Sequence, residues 1–187
     1  MGNNFKSLNR KSSFSSCGSY RWWLSREIGS SNKNLLFKGL NPSKADDSYD
    51  DATLKRLMGF GKDWGYGRLT VVNLFARISP SPTFLCKCFD PIGDENDSQI
   101  FMQALEWSLN PSCDLWVGWG AKGVLMGRNL QCISMLRIHL INRLNRFPSA
   151  LGPLALGLTS EGQPRHPLYA PKKLRLNLFE LNEEPFE

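Results

Sequence analysis

The sequence predicts an α/β fold, a three-layer α/β/α sandwich around a mainly parallel central sheet of about four strands. Short apolar runs that suit buried parallel strands alternate with segments of helical periodicity. Polar or glycine-containing turns follow these runs. With 187 residues, of which 41% are hydrophobic, the chain is long enough for one domain with a proper core. We predict a flexible basic leader over residues 1–18 and a single α/β domain over residues 19–187.

The first half of the domain contains a strand–helix–strand unit. Residues 20–24 are rich in aromatic side chains and lie between glycines, which favours a strand. Residues 35–37 are a short apolar run before a glycine, typical of a buried parallel strand. A helix follows, and Asp50 or Asp51 can cap its first turn. Residues 69–75 predict the next buried strand, so the crossover between the two strands should be right-handed.

The second half continues the alternation. Residues 76–93 contain several prolines and predict a long ordered loop. The acidic residues Asp94, Glu95 and Asp97 suit the start of a helix, because carboxylates are stabilised there by the helix dipole. Residues 114–121 predict a third strand that runs into a glycine turn, residues 133–144 belong to a helix, and residues 154–158 predict a fourth strand.

Charge and composition limit the classes of function. The net charge is +6 and the pI is about 9.2, which can favour phosphate backbones, although a solvated basic tail explains the charge equally well. We therefore name DNA, a nucleotide or a nucleoside as the hypothetical partner. No apolar run reaches the roughly 18 residues of a membrane helix, so we expect no membrane partner and a cytoplasmic location. Cys86 and Cys88 form only a poor metal signature, and we predict no cofactor and no metal.

Polar clusters follow the predicted parallel strands, whose carboxyl ends share one edge of a sheet. We expect the site at that edge. Asn41 could hold a water molecule or read a base edge, although an Asn before Pro also starts turns. His166 could donate a hydrogen bond to a developing anion or simply stabilise its turn. Arg77 and Arg165 could bind a phosphate.

Other polar and aromatic residues allow more than one interpretation. An exposed aromatic side chain near these loops could stack on a nucleobase, worth about 1–3 kcal/mol per base, but most aromatic residues belong to cores. The candidates are Trp64, Tyr66, Phe75 and Tyr169. His139 lies in an apolar helical pattern and is expected to be structural or exposed. Carboxylates between Asp46 and Asp51 could bind Mg²⁺, although capping and solubility explain most of them.

Seven motifs in order resemble the bacterial and phage family called domain of unknown function 1643. The resemblance covers about residues 18–171 and implies kinship without an assigned activity. In this chain the motifs are Leu40-Asn41-Pro42-Ser43-x-Ala45-Asp46, Asp51-x-Thr53, Trp64-Gly65-Tyr66-Gly67, Val72-Asn73-Leu74-Phe75, Asp90-Pro91-Ile92-Gly93-x-Glu95-Asn96-Asp97, Trp119-Gly120, and the segment from Gly157 to Tyr169 that contains Arg165-His166-Pro167.

Shorter segments resemble the uracil-DNA glycosylase superfamily, which has this sandwich fold. They are Gly39-Leu40-Asn41-Pro42, Val72-Asn73, Val117-Gly118 and His166-Pro167. The resemblance implies that Asn41 positions the attacking water, Asn73 reads the base and His166 stabilises the departing base. Phe75 or Tyr66 would then stack on the base, and the remaining substrate-binding candidates are Pro42, Ser43, Arg77 and Arg165.

The first functional hypothesis is a glycosylase-like enzyme that hydrolyses an N-glycosidic bond of a nucleobase in DNA or in a nucleoside. The alternative is a non-catalytic module on the same fold that binds a nucleotide or nucleic acid. A third hypothesis is a phosphate-directed hydrolase that uses the carboxylates between Asp46 and Asp51 with Mg²⁺.

Overall fold

A computed structural model of the protein describes residues 9–181. Within them, seven strands form one sheet in the order β1-β2-β4-β3-β5-β6-β7. The strands are β1 Arg10–Phe14, β2 Arg21–Glu27, β3 Asn34–Gly39, β4 Arg68–Asn73, β5 Cys113–Val117, β6 Leu154–Ala155 and β7 Asn177–Leu178. The helices are α1 Ala52–Asp63, α2 Pro82–Leu85, α3 Asn96–Leu109 and α4 Arg128–Arg146, with 3₁₀ turns at Ala121–Gly127 and Pro167–Tyr169.

The sheet has a parallel centre and antiparallel edges. Strands β4, β3, β5 and β6 are parallel neighbours, whereas β1, β2 and β7 pair antiparallel. The predicted α/β class is confirmed. The predicted mainly parallel sheet of about four strands describes only the centre, because β2 turns back along β4 and short β7 carries no apolar run that would mark it as a strand.

Strand β1 lies inside the segment that we predicted to be a flexible leader. Residues Arg10–Phe14 pair with β2, and the Arg10 guanidinium donates to Asp50 Oδ2 at 2.8 Å. The prediction is therefore corrected for this stretch. A polar edge strand shows no apolar alternation, which is why its sequence resembles a mobile tail. Residues 1–8 lie outside the described part of the chain.

Two hydrophobic clusters lie on the two faces of the central strands. Adjacent residues of β3 belong to different clusters, because successive side chains of a strand point to opposite faces. Helix α1 contributes Leu54, Leu57 and Phe60 to the cluster that contains Leu35 and Phe37. Helices α3 and α4 contribute Trp107, Ile133 and Leu136 to the cluster that contains Leu36 and Val72.

The start of helix α1 follows the sequence prediction. Asp51 is its N-cap, and the carboxylate accepts the Leu54 N–H at 2.7 Å. Such a cap contributes about 1 kcal/mol to stability. Leu54 and Leu57 are buried as their spacing predicts, whereas Met58 packs at the margin of the cluster. No helix of residues 9–181 is long and apolar enough to cross a membrane.

A buried arginine ties helix α4 to the end of helix α3. The Arg143 side chain is 0% exposed, and its guanidinium donates to the carbonyls of Leu151, Trp107, Asn110 and Cys113. The last carbonyls of a helix lack regular partners within it, and here the arginine adds donors to carbonyls that otherwise have only local turn bonds, such as Asn110 N–H to Trp107 O at 3.4 Å. Burial lowers the pKa of this guanidinium.

Replacing Arg143 by Met should lower the free energy of unfolding by about 3 kcal/mol, because buried carbonyls lose their donors. Urea denaturation followed by circular dichroism measures the change. Arg146→Met is the matched control, since Arg146 is exposed on the same helix, and it should change stability by less than about 0.5 kcal/mol. Equal losses in the two variants would contradict the structural role of Arg143.

Candidate functional site

The segments that follow the parallel strands meet at one edge of the sheet, as the sequence predicted. The segment after β3 is joined to the one after β4, because the Ser79 N–H donates to Pro42 O at 3.0 Å. The segment after β5 is joined to the one after β6 through the Gly120 N–H, which donates to Pro164 O at 2.8 Å. These backbone bonds bring residues that are far apart in sequence to a common place.

A cavity of about 60 Å³ lies at this carboxyl edge. Its volume admits a few water molecules and is well below the roughly 300 Å³ of an ordinary ligand site. Four of the predicted site residues line it, namely Asn41, Ser43, Asn73 and His166. Two further polar residues that were not predicted as site residues line it as well, Arg21 and Thr53, together with the helix cap Asp51.

The Asn41 side chain is held by the two segments that flank it. Its Nδ2 donates to Pro42 O at 3.0 Å and to Ser79 O at 2.9 Å. Both partners are acceptors, so the orientation of the amide follows from its hydrogen bonds. The nitrogen is thereby occupied, and the oxygen is the atom of this amide that remains to accept a hydrogen bond from a ligand or a water.

Ser43 couples the same loop to the start of helix α1. Its hydroxyl donates to Asp51 Oδ2, while Asp51 Oδ1 accepts the Leu54 N–H. Both oxygens of this carboxylate therefore have donors within the protein. Asp51 brings negative charge to the cavity wall but serves first as a cap.

Asn73 ends strand β4 directly beside the end of β3. The register pairs it with Gly39, and a Cβ on Gly39 would lie 2.7 Å from Asn73 Oδ1. A side chain at position 39 would therefore force the Asn73 side chain to move. Asn73 is 4% exposed, and its Nδ2 has no hydrogen-bond partner among residues 9–181. The site thus contains a buried amide donor that is free for a ligand.

His166 forms another wall of the cavity. It precedes the 3₁₀ turn Pro167–Tyr169, and its Nδ1 accepts the Leu168 N–H at 3.3 Å. A neutral imidazole that accepts at Nδ1 carries its proton on Nε2. Gly120, at φ 73°, lies against the ring, since a Cβ there would be 3.3 Å from His166 Cβ. The imidazole is therefore positioned as a hydrogen-bond donor through Nε2.

Arg21 is the site residue that sequence reasoning missed. It enters the cavity wall from β2, which lies antiparallel to β4. Its Nη1 donates to Ala45 O at 2.7 Å, and burial lowers the pKa of its guanidinium to about 10. The sequence feature that could have revealed it is a charged residue within a run of aromatic residues. A charged side chain on a buried strand requires a partner, so its presence there indicates a polar site.

The remaining predicted residues do not line the cavity. Phe75 is buried in the hydrophobic cluster of α3 and α4. Tyr66 is near the opposite edge of the sheet, where its hydroxyl donates to Asp114 Oδ2 at 2.6 Å. Arg77 lies over the Tyr20 ring at 5.3 Å. Arg165 is exposed, and its guanidinium donates to Leu158 O. Pro42 is buried, and its carbonyl accepts the Ser79 N–H.

The positions of Phe75 and Tyr66 contradict the expectation that either ring stacks on a base in this cavity. Phe75 has no exposed surface with which to meet a ligand. Tyr66 follows helix α1 and precedes β4, so it belongs to the amino edge of the parallel strands. Burial and its bond to Asp114 raise the pKa of its phenol. Both residues therefore stabilise the fold.

The aspartates of the loop before α1 already have partners. Asp46 Oδ1 accepts the Ser48 hydroxyl and the Ser48 and Tyr49 N–H groups, each at 2.8 Å. These bonds, first of all the one from the hydroxyl, lower the pKa of its carboxyl. Asp50 pairs with Arg10 and Arg26. In the described part of the chain, no group of three or more His, Cys, Asp or Glu side chains is placed to hold a metal ion. These contacts are those of loop-stabilising carboxylates.

A second buried network supports the end of strand β4. Asn96 Nδ2 and Arg128 Nε both donate to Leu74 O at 2.8 Å, and Arg128 also pairs with Asp97. The acidic start of α3 therefore has a role beyond the helix dipole. It holds the segment that carries Asn73 against the face covered by α3 and α4.

The fold and the cavity together define a mixed α/β protein with a polar site at the carboxyl edge of its parallel strands. Residues 21–168 match the family model described as protein of unknown function (DUF1643). The chain belongs to this family, as its motifs predicted. No curated protein and no solved structure matches the chain.

The two histidines predict how stability depends on pH. Burial lowers the pKa of His166, and nearby Asp51 opposes this effect. Burial and the charge of Lys38 lower the pKa of His139, which is buried on α4 as a structural residue. A histidine with a lowered pKa binds fewer protons in the folded state, so stability falls as pH drops below the unfolded value of about 6.5.

The free energy of unfolding should therefore be smaller at pH 5.5 than at pH 7.5. Urea denaturation at both pH values measures this difference, and the double variant His139→Leu with His166→Asn should reduce it. Carboxylates with lowered pKa, such as those of Asp46 and Glu161, titrate below this window. If the double variant retained the full pH difference, the assignment to these histidines would be wrong.

Proposed function

We propose that this protein is an N-glycosylase that hydrolyses the bond between a nucleobase and its sugar in DNA or in a nucleoside. One observation carries the proposal: Asn41, Asn73 and His166 line the same cavity. These are the residues to which the glycosylase resemblance assigns the water, the base and the leaving group. Helices contribute to clusters on both faces of the sheet, which supports a three-layer sandwich similar to that superfamily.

Asn41 would orient the nucleophile. Its nitrogen is occupied by two carbonyls, so its oxygen is free to accept a hydrogen bond from a water. The water oxygen bonds to the anomeric carbon as the bond from carbon to base nitrogen breaks. The electron pair of that bond leaves with the base, and the proton lost by the water balances the proton that the base finally takes up.

His166 and Asn73 would contact the base. The lowered pKa of His166 keeps the imidazole neutral at pH 7, and its Nε2–H can donate to a base oxygen on which negative charge develops. Asn73 offers an unpartnered Nδ2 donor beside the base. Donors positioned in a buried site stabilise such charge more strongly than water does.

Substrate binding would require the loop between β3 and α1 to move. The cavity of about 60 Å³ is smaller than a nucleobase site, and Asn41, Ser43 and Ala45 of this loop line it. Enzymes of this class receive the base only after it has left the stack. The proposed reaction therefore couples base flipping to displacement of the loop.

An oligonucleotide assay tests the proposal. The panel carries uracil, hypoxanthine, mismatches and alkylated bases, and alkali reveals abasic sites as strand breaks. The wild type should cleave at least one substrate, and Asn41→Ala and His166→Ala should each reduce turnover about 100-fold or more. Asn32→Ala, in an exposed loop, is the matched control and should retain turnover. Absence of product across the panel, or full activity of Asn41→Ala, would overturn the proposal.

A second candidate function is a nucleic-acid-binding module, and an exposed aromatic loop favours it. Residues 77–91 form a loop closed by the Ala76 N–H donating to Ile92 O at 3.1 Å. Leu85 anchors the loop in the core, while Phe84 is 59% exposed and Phe89 fully exposed. Exposed Lys87 lies between them in sequence. Aromatic rings and cations together are the usual contacts for single-stranded nucleic acid.

Replacing both Phe84 and Phe89 by Ser should weaken binding of a single-stranded oligonucleotide about tenfold, because stacking contributes about 1–3 kcal/mol per base. Fluorescence anisotropy at low and high salt measures the affinity. Ile138→Ser is the control, since Ile138 is equally exposed, 60%, on helix α4. If the wild type, the double variant and Ile138→Ser bound the oligonucleotide equally and with the same salt dependence, the loop would not be part of the binding surface.

A further inference from the structure

We propose that Arg21 is a specificity-determining residue of the cavity and that, with Asn73, it holds a planar ligand edge bearing two neighbouring acceptor atoms. The ligand is either a carboxylate or the carbonyl-bearing edge of an oxo-base, which share this chemistry. The inference concerns the same cavity as the proposed glycosylase. It rests on the proposed function only in taking this cavity as the ligand-binding site. It does not require that the protein cleaves a bond of the ligand.

The first observation is the incomplete set of partners around Arg21. The side chain is 5% exposed, and its Nη1 donates to Ala45 O at 2.7 Å. Its Nε has no partner among residues 9–181. Burying a guanidinium with unused donors is unfavourable, so an acceptor from a ligand would complete its hydrogen bonding.

The second observation is independent and comes from the neighbouring strand. Asn73 is also buried, lines the same cavity and has an Nδ2 without a partner in the described chain. Its amide lies over Gly39, which has no side chain to fill the space. Two buried residues with unpartnered donors, on adjacent antiparallel strands, thus line one small cavity, and two such donors call for a ligand with two acceptors.

The charges of the cavity wall favour such a ligand. Asp51 is the carboxylate in the wall, but Ser43 and the Leu54 N–H already occupy its two oxygens. The groups that remain for a ligand are largely donors, from Arg21, Asn73 and the Nε2 of His166. A ligand edge that itself presents amino donors would face unmatched N–H groups and bind more weakly.

Titration calorimetry with the full chain tests the inference, with acetate, hypoxanthine and adenine as probes. The wild type should bind acetate or hypoxanthine and prefer hypoxanthine to adenine. Hypoxanthine presents the neighbouring acceptors O6 and N7, whereas adenine presents an amino donor beside N7. Arg21→Gln should weaken binding of the preferred probe at least tenfold. Arg21→Lys retains the charge but not the Nε donor, and it should also weaken binding at least tenfold. If acetate binds and hypoxanthine does not, the ligand is a carboxylate; the reverse identifies an oxo-base.

Arg10→Gln is the matched control, because Arg10 contacts Asp50 in the same loop and does not line the cavity. It should leave probe affinity unchanged. A purely structural Arg21 would lower the urea midpoint in Arg21→Gln while probe affinity stayed as in the wild type, and that result would overturn the inference. Absence of binding of both acetate and hypoxanthine at millimolar concentration would overturn it as well.

The outcomes separate this inference from the proposed enzymatic function. Binding that depends on Arg21, with no strand cleavage in the oligonucleotide assay, would contradict the glycosylase function and support the ligand site. Cleavage that is unaffected in Arg21→Gln would remove Arg21 from the site and leave the glycosylase.

Discussion

The pairing of Gly39 with Asn73 is the contact on which the site depends. Strand β3 lies between β4 and β5 in parallel register, so its end meets the ends of both neighbours. Because Gly39 has no Cβ, the Asn73 side chain can lie over the end of β3. The same register brings the Asn41 segment beside the segment after β4. A shift by one residue would turn every side chain of β3 to the other face and would separate these groups.

Buried arginines stabilise the segments around this pairing. Arg26, Arg128 and Arg143 are fully or almost fully buried, and each donates to backbone carbonyls. A guanidinium has five donors in a fixed geometry, so one side chain can satisfy several carbonyls that a loop leaves unpaired. Part of the net charge of +6 therefore serves the fold. Only exposed cations, such as Lys87 and Arg165, remain to attract a phosphate backbone.

The cavity, like the buried arginines, depends on contacts between segments that are distant in sequence. Its polar residues come from β2, from the end of β4, from the loop and helix after β3 and from the segment after β6. Two of them, Arg21 and Asn73, have unused donors. The loop after β3 is bound to the cap of helix α1 through Ser43 and Asp51, and to β2 through Ala45 and Arg21. Arg21 therefore lines the cavity and at the same time holds the loop after β3 through Ala45.

The sequence by itself determined the features that depend on local pattern. The cap of α1 at Asp51, the apolar runs of β3 and β4, and the meeting of Asn41, Asn73 and His166 at one edge were all predictable. Helical spacing and strand alternation are local properties, and parallel strands place their carboxyl ends together whatever their side chains. The family motifs were recognisable for the same reason.

Only the tertiary structure decided where individual side chains point. Phe75 entered the core and Tyr66 came to lie near the opposite edge, because the direction of a residue beyond a strand or helix end depends on contacts distant in sequence. Arg21 reached the cavity because β2 turns back antiparallel beside β4. Polar β1 became a strand through its pairing with β2. Edge strands and loop side chains gain their order from partners elsewhere in the chain, and no local pattern encodes those partners.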